Sequence, residues 1–299
     1  MPALELSAIA AELDPPFVVS QPLQQRVPFV FCSPHSGRVY PSHFLAQSRL
    51  DPVALRRSED CYVDELFAAV VGLGAPLIAA RFPRAYLDVN REPYELDPQL
   101  IREKLPQFAN AHSARVVGGL GTIARIVADG ESIYRAPLPL EAALARIEAL
   151  YMPFHAELTR LLQRTQEQFG YAILIDCHSM PSAPMSRGVL TRPDFVLGDR
   201  FGASCDTQLS LFVRDHVAAA GYDVHMNRPY AGGYITEHYG RPSRGWHALQ
   251  IEMNRGLYLN ELTLEKAAGF DRLANDLTVL ADAMFAALPS RFGRCAAAE

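Results

Sequence analysis

Residues 171–179, Tyr-Ala-Ile-Leu-Ile-Asp-Cys-His-Ser, decide how the chain is read. An unbroken apolar run that ends in Asp176-Cys177-His178 is the signature of a strand buried on both faces. Before it, from Pro139 to about Phe169, Leu144, Ile147, Tyr151, Phe154, Leu158 and Leu161 recur at helical spacing, so an amphipathic helix leads into the strand. Pro28–Cys32 reads as a second buried strand running into a Ser-Pro-His-Ser-Gly turn. Further strands are expected at Pro76–Ala80, Arg84–Val89, 222–226 and 247–252. Helices are expected from Asp51-Pro52, within 60–74, at 206–219, and from an Asn260 cap through Phe270, Leu273, Leu277, Leu280 and Met284. Residues 1–27, rich in Pro and Gln, read as a loosely structured lead-in, and glycine-rich 110–137 reads as loops or short strands. Strands alternating with helices predict an α/β sandwich with a mixed, largely parallel sheet, as a single domain over 1–299.

The chain has 299 residues, with 28 Lys+Arg against 33 Asp+Glu and a formal charge of −5. At 49% hydrophobic and 20% charged it is ordinary for a globular protein and excludes a disordered one. A mildly acidic chain lacks the excess of cations that holds nucleic acid or an anionic membrane surface. No apolar run approaches the ~20 residues that span a bilayer. The N-terminus carries Glu5 and Glu12 where a signal peptide would need an apolar core, so a cytoplasmic location is expected. Five widely spaced cysteines without a CxxC pair point neither to a disulfide framework nor to a thiolate zinc site.

Four segments at expected strand ends concentrate the reactive side chains: SPHSGR (33–38), DVNRE (88–92), IDCHS (175–179) and QIEMNR (250–255). In α/β sheets ligands sit at the carboxyl ends of strands. His35 and His178 hold equivalent places there, and two imidazoles with one carboxylate suit a divalent ion that keeps an open position for water. Glu59 and Asp60 both offer the carboxylate, and spacing does not choose between them. Asp64 fits a helix cap or a supporting role, and Asp176, two residues before His178, suits a partner that orients a ligating ring. Glu252, in the apolar strand HALQIEM, is either a proton carrier or a buried ion-pair partner of Arg255. Arg84, Asn90 and Arg91 form an anion-handling set, with Arg187 and Arg228 as further carboxylate contacts and His238 and His247 as weaker lining residues. No GxSxG, P-loop, HExxH or post-strand GxGxxG motif occurs.

Taken in order, FCSPHSGRVYP, SEDCYVDELF, RAYLDVNRE, LIDCHSMPS, NRPYAGGYIT and ALQIEMNRGLY resemble the N-formylglutamate amidohydrolase family over about residues 27–285. The resemblance implies the α/β/α three-layer sandwich of the zinc carboxypeptidases and a zinc-dependent amide hydrolase. It maps the metal ligands onto His35, Asp60 and His178, with Glu59 the alternative to Asp60. It maps the catalytic glutamate onto Glu252, the carboxylate-gripping pair onto Asn90 and Arg91, and the oxyanion arginine onto Arg84. The implied substrate is an acidic N-acyl amino acid, most simply N-formyl-L-glutamate. The rival readings are a hydrolase of a different N-acyl amino acid or small peptide, an iron(II) oxygenase, and a non-catalytic binding module for acidic amino acids with a structural metal.

Overall fold

The computed structural model describes residues 2–127, 130–182 and 192–288. Among the described residues seven strands form one mixed sheet in the order β1-β3-β2-β4-β7-β5-β6, where β1 is Phe17–Ser20, β2 Phe29–Ser33, β3 Leu77–Ala80, β4 Ala172–Met180, β5 Phe195–Gly198, β6 Val224–Met226 and β7 Trp246–Asn254. β2 and β7 flank β4 in parallel, while β5 runs antiparallel to β7 and parallel to β6. The expected α/β architecture with a mostly parallel sheet is what the chain adopts. No helix among the described residues is long and apolar enough to cross a membrane.

The chain forms two compact units. One comprises Met1–Val18, Pro34–Glu59 and Ala79–Glu157, the other Val19–Ser33, Asp60–Ile78 and Leu158–Glu299. The first unit carries the helices α1 (Pro2–Glu12), α2 (Ser42–Gln47), α3 (Pro52–Arg56), α6 (Ala114–Val117) and α7 (Leu140–Arg146). The second carries α4 (Val63–Leu66), α5 (Val70–Leu73), α9 (Thr207–Ala219), α10 (Tyr234–Tyr239) and α11 (Phe270–Ala287). The helix α8 (Met152–Phe169) continues from α7 through a π turn at Ile147–Tyr151.

Period-two alternation sorts the sheet residues of the second unit. Phe29, Phe31, Ile173, Ile175, Leu249 and Ile251 point into one apolar core with Val63, Leu66, Leu209, Leu273, Leu277 and Leu280 from the helices. The alternate positions Asp176, His178, Gln250 and Glu252 therefore share the opposite face. The parallel register sets Asp176 beside Gln250 and His178 beside Glu252. β4 is buried along its whole length, as its apolar run predicts.

Several expectations need correction. The lead-in is not loose: Pro2–Glu12 is a helix, because its Ala, Leu and Glu content favours one and Glu5, Ile9 and Leu13 fall on one buried stripe. The stripe within 60–74 is buried as expected, but the chain forms two short helices, α4 and α5, instead of one. Residues 84–89 make turns and no strand, with the amides of Tyr86 and Leu87 donating back to the Pro83 carbonyl (2.9 and 3.2 Å). The last helix starts at Phe270, and the Asn260 side chain instead accepts from the amides of Leu262 and Thr263 in a local turn. Finally, β4 does not stop before His178 but runs on to Met180, so His178 is a strand residue.

Candidate active-site residues

In the first unit the organising group is Asp88, a carboxylate 3% exposed. Its Oδ1 accepts from His35 Nε2 (2.7 Å) and from the Asn90 amide (2.8 Å). Its Oδ2 accepts from Arg84 Nη2 (2.8 Å), and Arg91 Nη2 lies 3.5 Å away. Burial alone would raise the Asp88 carboxyl, but Arg84, Arg91 and His35 together hold it well below the usual carboxylate range. An ionised carboxylate only accepts, so His35 carries a proton on Nε2. Gly37, two residues on, is required by space: a Cβ there would collide with the Phe82 carbonyl.

Arg91 is fastened by its backbone surroundings as well. Its Nε donates to the Leu120 carbonyl and its Nη1 to the Asn90 carbonyl, both at 2.7 Å. Burial lowers its guanidinium to about 10. The glycine-rich segment at 118–121 thus acquires a purpose, since Gly121 packs where a Cβ would collide with the Glu95 carbonyl while Leu120 faces Arg91. From the helix, Tyr151 Oη donates to the Arg91 carbonyl (2.7 Å) and His155 Nε2 bonds the Val89 carbonyl (2.8 Å). The backbone on either side of Asn90 is pinned from the π turn onward.

In the second unit His178 sits between two carboxylates. Its Nδ1 is 3.0 Å from Asp60 Oδ2 and its Nε2 is 2.9 Å from Asp176 Oδ1. Burial would lower the ring, but Asp176, Asp60 and Glu252 raise it well above its ordinary value. Asp60 Oδ1 is held by Arg255 Nη2 (2.9 Å) and by Ser179 Oγ (3.2 Å), so Oδ2 is the oxygen turned to His178. Asp176 Oδ2 accepts from Thr236 Oγ1 (3.2 Å) in α10. Glu252 lies in register with His178 and accepts from Gln250 Nε2 (2.9 Å), whose own Oε1 accepts from the Gly233 amide (2.7 Å) at the start of α10. Arg255 is thus an ion-pair partner of Asp60.

The remaining sequence candidates divide cleanly. Glu59, buried, accepts from Arg56 Nε (3.0 Å), whereas Asp60 is the carboxylate beside an imidazole. Asp64 occupies the first turn of α4, half-buried. Arg228 follows β6 and is exposed. His238 is exposed on α10 against Tyr234 (3.2 Å), and His247 lies near the start of β7, where its Nδ1 accepts from the Asp206 amide (3.0 Å). His247 pairs in register with Ile173, at the other end of the strand from His178. Arg187 lies outside the described residues. Asp88, Gln250 and Tyr151 were not singled out from sequence. The signal for Asp88 was its place two residues before Asn90, the same offset as Asp176 from His178.

The chain has counterparts among known proteins. A family model described as N-formylglutamate amidohydrolase matches residues 27–259. The chain is 31% identical over 243 residues to an N-formylglutamate deformylase of Pseudomonas putida, covering 80% of this chain and 84% of the relative. It is 30% identical over 240 residues to one of Pseudomonas aeruginosa, covering 79% and 84%. A crystal structure of N-formylglutamate amidohydrolase from Ralstonia eutropha superposes with a TM-score of 0.86 at 34% identity, over 94% of this chain and 99% of that one. A gene product of Agrobacterium tumefaciens at 18% identity shares the fold, with a TM-score of 0.60 over 91% and 95% of the two chains. The six sequence motifs all fall within the matched span, and the chain belongs to the N-formylglutamate amidohydrolase family.

Proposed function

We propose that this protein is a zinc-dependent amidohydrolase that cleaves the N-acyl amide of an acidic N-acyl amino acid, with N-formyl-L-glutamate, giving formate and L-glutamate, as its substrate. The observation that carries the metal part is the 3.0 Å approach of His178 Nδ1 to Asp60 Oδ2. Two ligands at the usual zinc distances and a tetrahedral angle stand about 3.3 Å apart, and an ion would replace the proton that now joins these atoms. His35 completes a set of three buried ligand-type residues among those described. Three protein ligands is the count of a catalytic zinc site, whereas structural sites close with four. Carboxylates on the outer nitrogens, Asp88 for His35 and Asp176 for His178, are the usual supports of metal-bound imidazoles. The substrate part rests on the names of the relatives.

Zinc held there would make a bound water acidic near neutral pH and draw charge from the acyl oxygen. Glu252 takes the proton from the attacking water and returns it to the amine as the C–N bond breaks. Arg84 stabilises the oxyanion, and Asn90 and Arg91 hold the substrate carboxylate, with Arg228 and Arg187 as additional contacts. Asp64 supports the segment that carries Asp60. The test is formate release from N-formyl-L-glutamate by purified protein, before chelation, after it, and after zinc return. Release that chelation abolishes and zinc restores is the expected result; no release from folded, zinc-loaded protein overturns the substrate. The companion variant Glu252→Gln is expected to keep the metal and lose ~10²–10⁴ in turnover. Loss of the metal in that variant would make Glu252 a ligand instead.

A further inference from the structure

The Asp88 carboxylate is shared. One oxygen serves the His35 ring and the Asn90 amide, the other serves Arg84 and faces Arg91. The ring assigned to the metal and the guanidinium groups assigned to the substrate thus draw on the same negative charge. We propose that Asp88 is a positioning residue that couples metal affinity to dicarboxylate affinity: a carboxylate seated on Asn90 and Arg91 tightens the hold of His35 on the metal, and the metal tightens carboxylate binding in return. This rests on the site reading given above.

The partners of Asp88 compete for a buried acceptor. Asp88 is 3% exposed, so its partners exchange against one another and not against water. Arginine forks prefer a bidentate carboxylate, and a substrate carboxylate that engages Arg91 takes guanidinium charge away from Asp88. Asp88 then pulls more strongly on the Nε2 proton of His35, 2.7 Å away, and an imidazole held harder at its outer nitrogen is the stronger ligand at the inner one. Coupling of two binding events is reciprocal and typically spans ~5–150-fold. A substrate carboxylate that touched the metal directly would also couple the two, but that coupling would not depend on Asp88.

The experiment is a zinc titration of the full chain by calorimetry against a competing chelator, with and without saturating glutarate, on wild type and Asp88→Asn. Glutarate is expected to tighten zinc at least about fivefold in wild type, and the factor is expected to collapse toward one in the variant. Zinc affinity indifferent to glutarate in wild type overturns the inference, as does undiminished coupling in Asp88→Asn. A second readout does not need the variant to fold: in zinc-loaded wild type the His35 Nε2–H resonance is expected to move when glutarate is added, and a stationary resonance overturns the proposal. Wild-type protein that binds no zinc overturns the metal reading and the coupling with it. Protein that binds zinc and glutarate cooperatively yet spares N-formyl-L-glutamate would overturn only the substrate.

Discussion

Glu5 and Asp88 lie in the same unit, are both buried, and each gathers a histidine ring and an arginine, yet their surroundings diverge. Glu5 Oε1 accepts from Arg146 Nε and Tyr86 Oη at 2.5 Å, and His43 Nε2 bonds the same oxygen at 2.9 Å. Arg146 is 0% exposed, stacked 4.0 Å from the centre of the Tyr86 ring and donating to Tyr134 Oη. Arg84, on Asp88, keeps 24% of its side chain in solvent. Glu5, with one arginine, makes a lock in which aromatic rings seal the cation, whereas Asp88, with two, leaves Arg84 partly open to solvent. Charge pairing alone does not distinguish the two; access to the cation does.

That contrast can be broken at several points. The largest effect is expected from Glu5→Ala, which strands Arg146 without its carboxylate and costs ~3–5 kcal/mol by denaturant unfolding, with turnover per folded molecule unchanged. Acid imitates this variant. Burial pushes Glu5 up, but His43, Arg146 and Tyr86 outweigh it and bring the group from 4.5 down to about 2. Because the folded value is depressed, the contribution is complete above about pH 4.5 and is lost as pH falls toward 2, about 3 kcal/mol in all. An acid unfolding curve that is identical in wild type and Glu5→Gln would contradict this.

Arg84→Ala should behave in the opposite way, losing ~10²–10³ in kcat while the melting temperature stays put. If the variant melts early and its folded fraction turns over normally, Arg84 belongs with Arg146 as a lock. Asp88→Asn is expected to weaken zinc ~10–100-fold, measured by chelator competition. The smallest effect should come from Tyr151→Phe, which removes one hydrogen bond to the Arg91 carbonyl at a cost of about 1 kcal/mol. It should appear as a roughly fivefold rise in KM with zinc affinity intact, and a change confined to kcat would detach Tyr151 from substrate binding.

Much of this molecule is legible in its sequence, for a physical reason. Burial on both faces leaves a continuous apolar run, and the residues that break it, Asp176, His178 and Glu252, stand out against Leu, Ile and Met neighbours. His35 is visible for the same reason, following a fully buried strand. What stays hidden is pairing at long range. Asp88 and His35 are 53 residues apart, and Glu5 and Arg146 are 141 apart, so no local pattern announces either contact. The choice of Asp60 over Glu59 is of the same kind, since neighbouring carboxylates differ only in what the fold brings to them. Residues 84–89 misled because their apolar spacing copies a strand, although Pro83 and the turn behind it bend the chain.

The π turn at Ile147–Tyr151 acts as a phase shift in an otherwise continuous helix from Leu140 to Phe169. It widens the hydrogen-bond step to i→i+5, which is equivalent to one inserted residue. One residue is about 100° of rotation. Arg146, ahead of the shift, is aimed at Glu5, while Tyr151 and His155, at its end and beyond, meet the backbone around Asn90. A single helix can therefore hold the Glu5 lock with one part and the backbone on either side of Asn90 with the next. Length changes along it are not equivalent: a one-residue deletion inside 147–151 would regularise the helix yet swing the two parts out of step, and a full turn added at either end would leave their relative aim untouched.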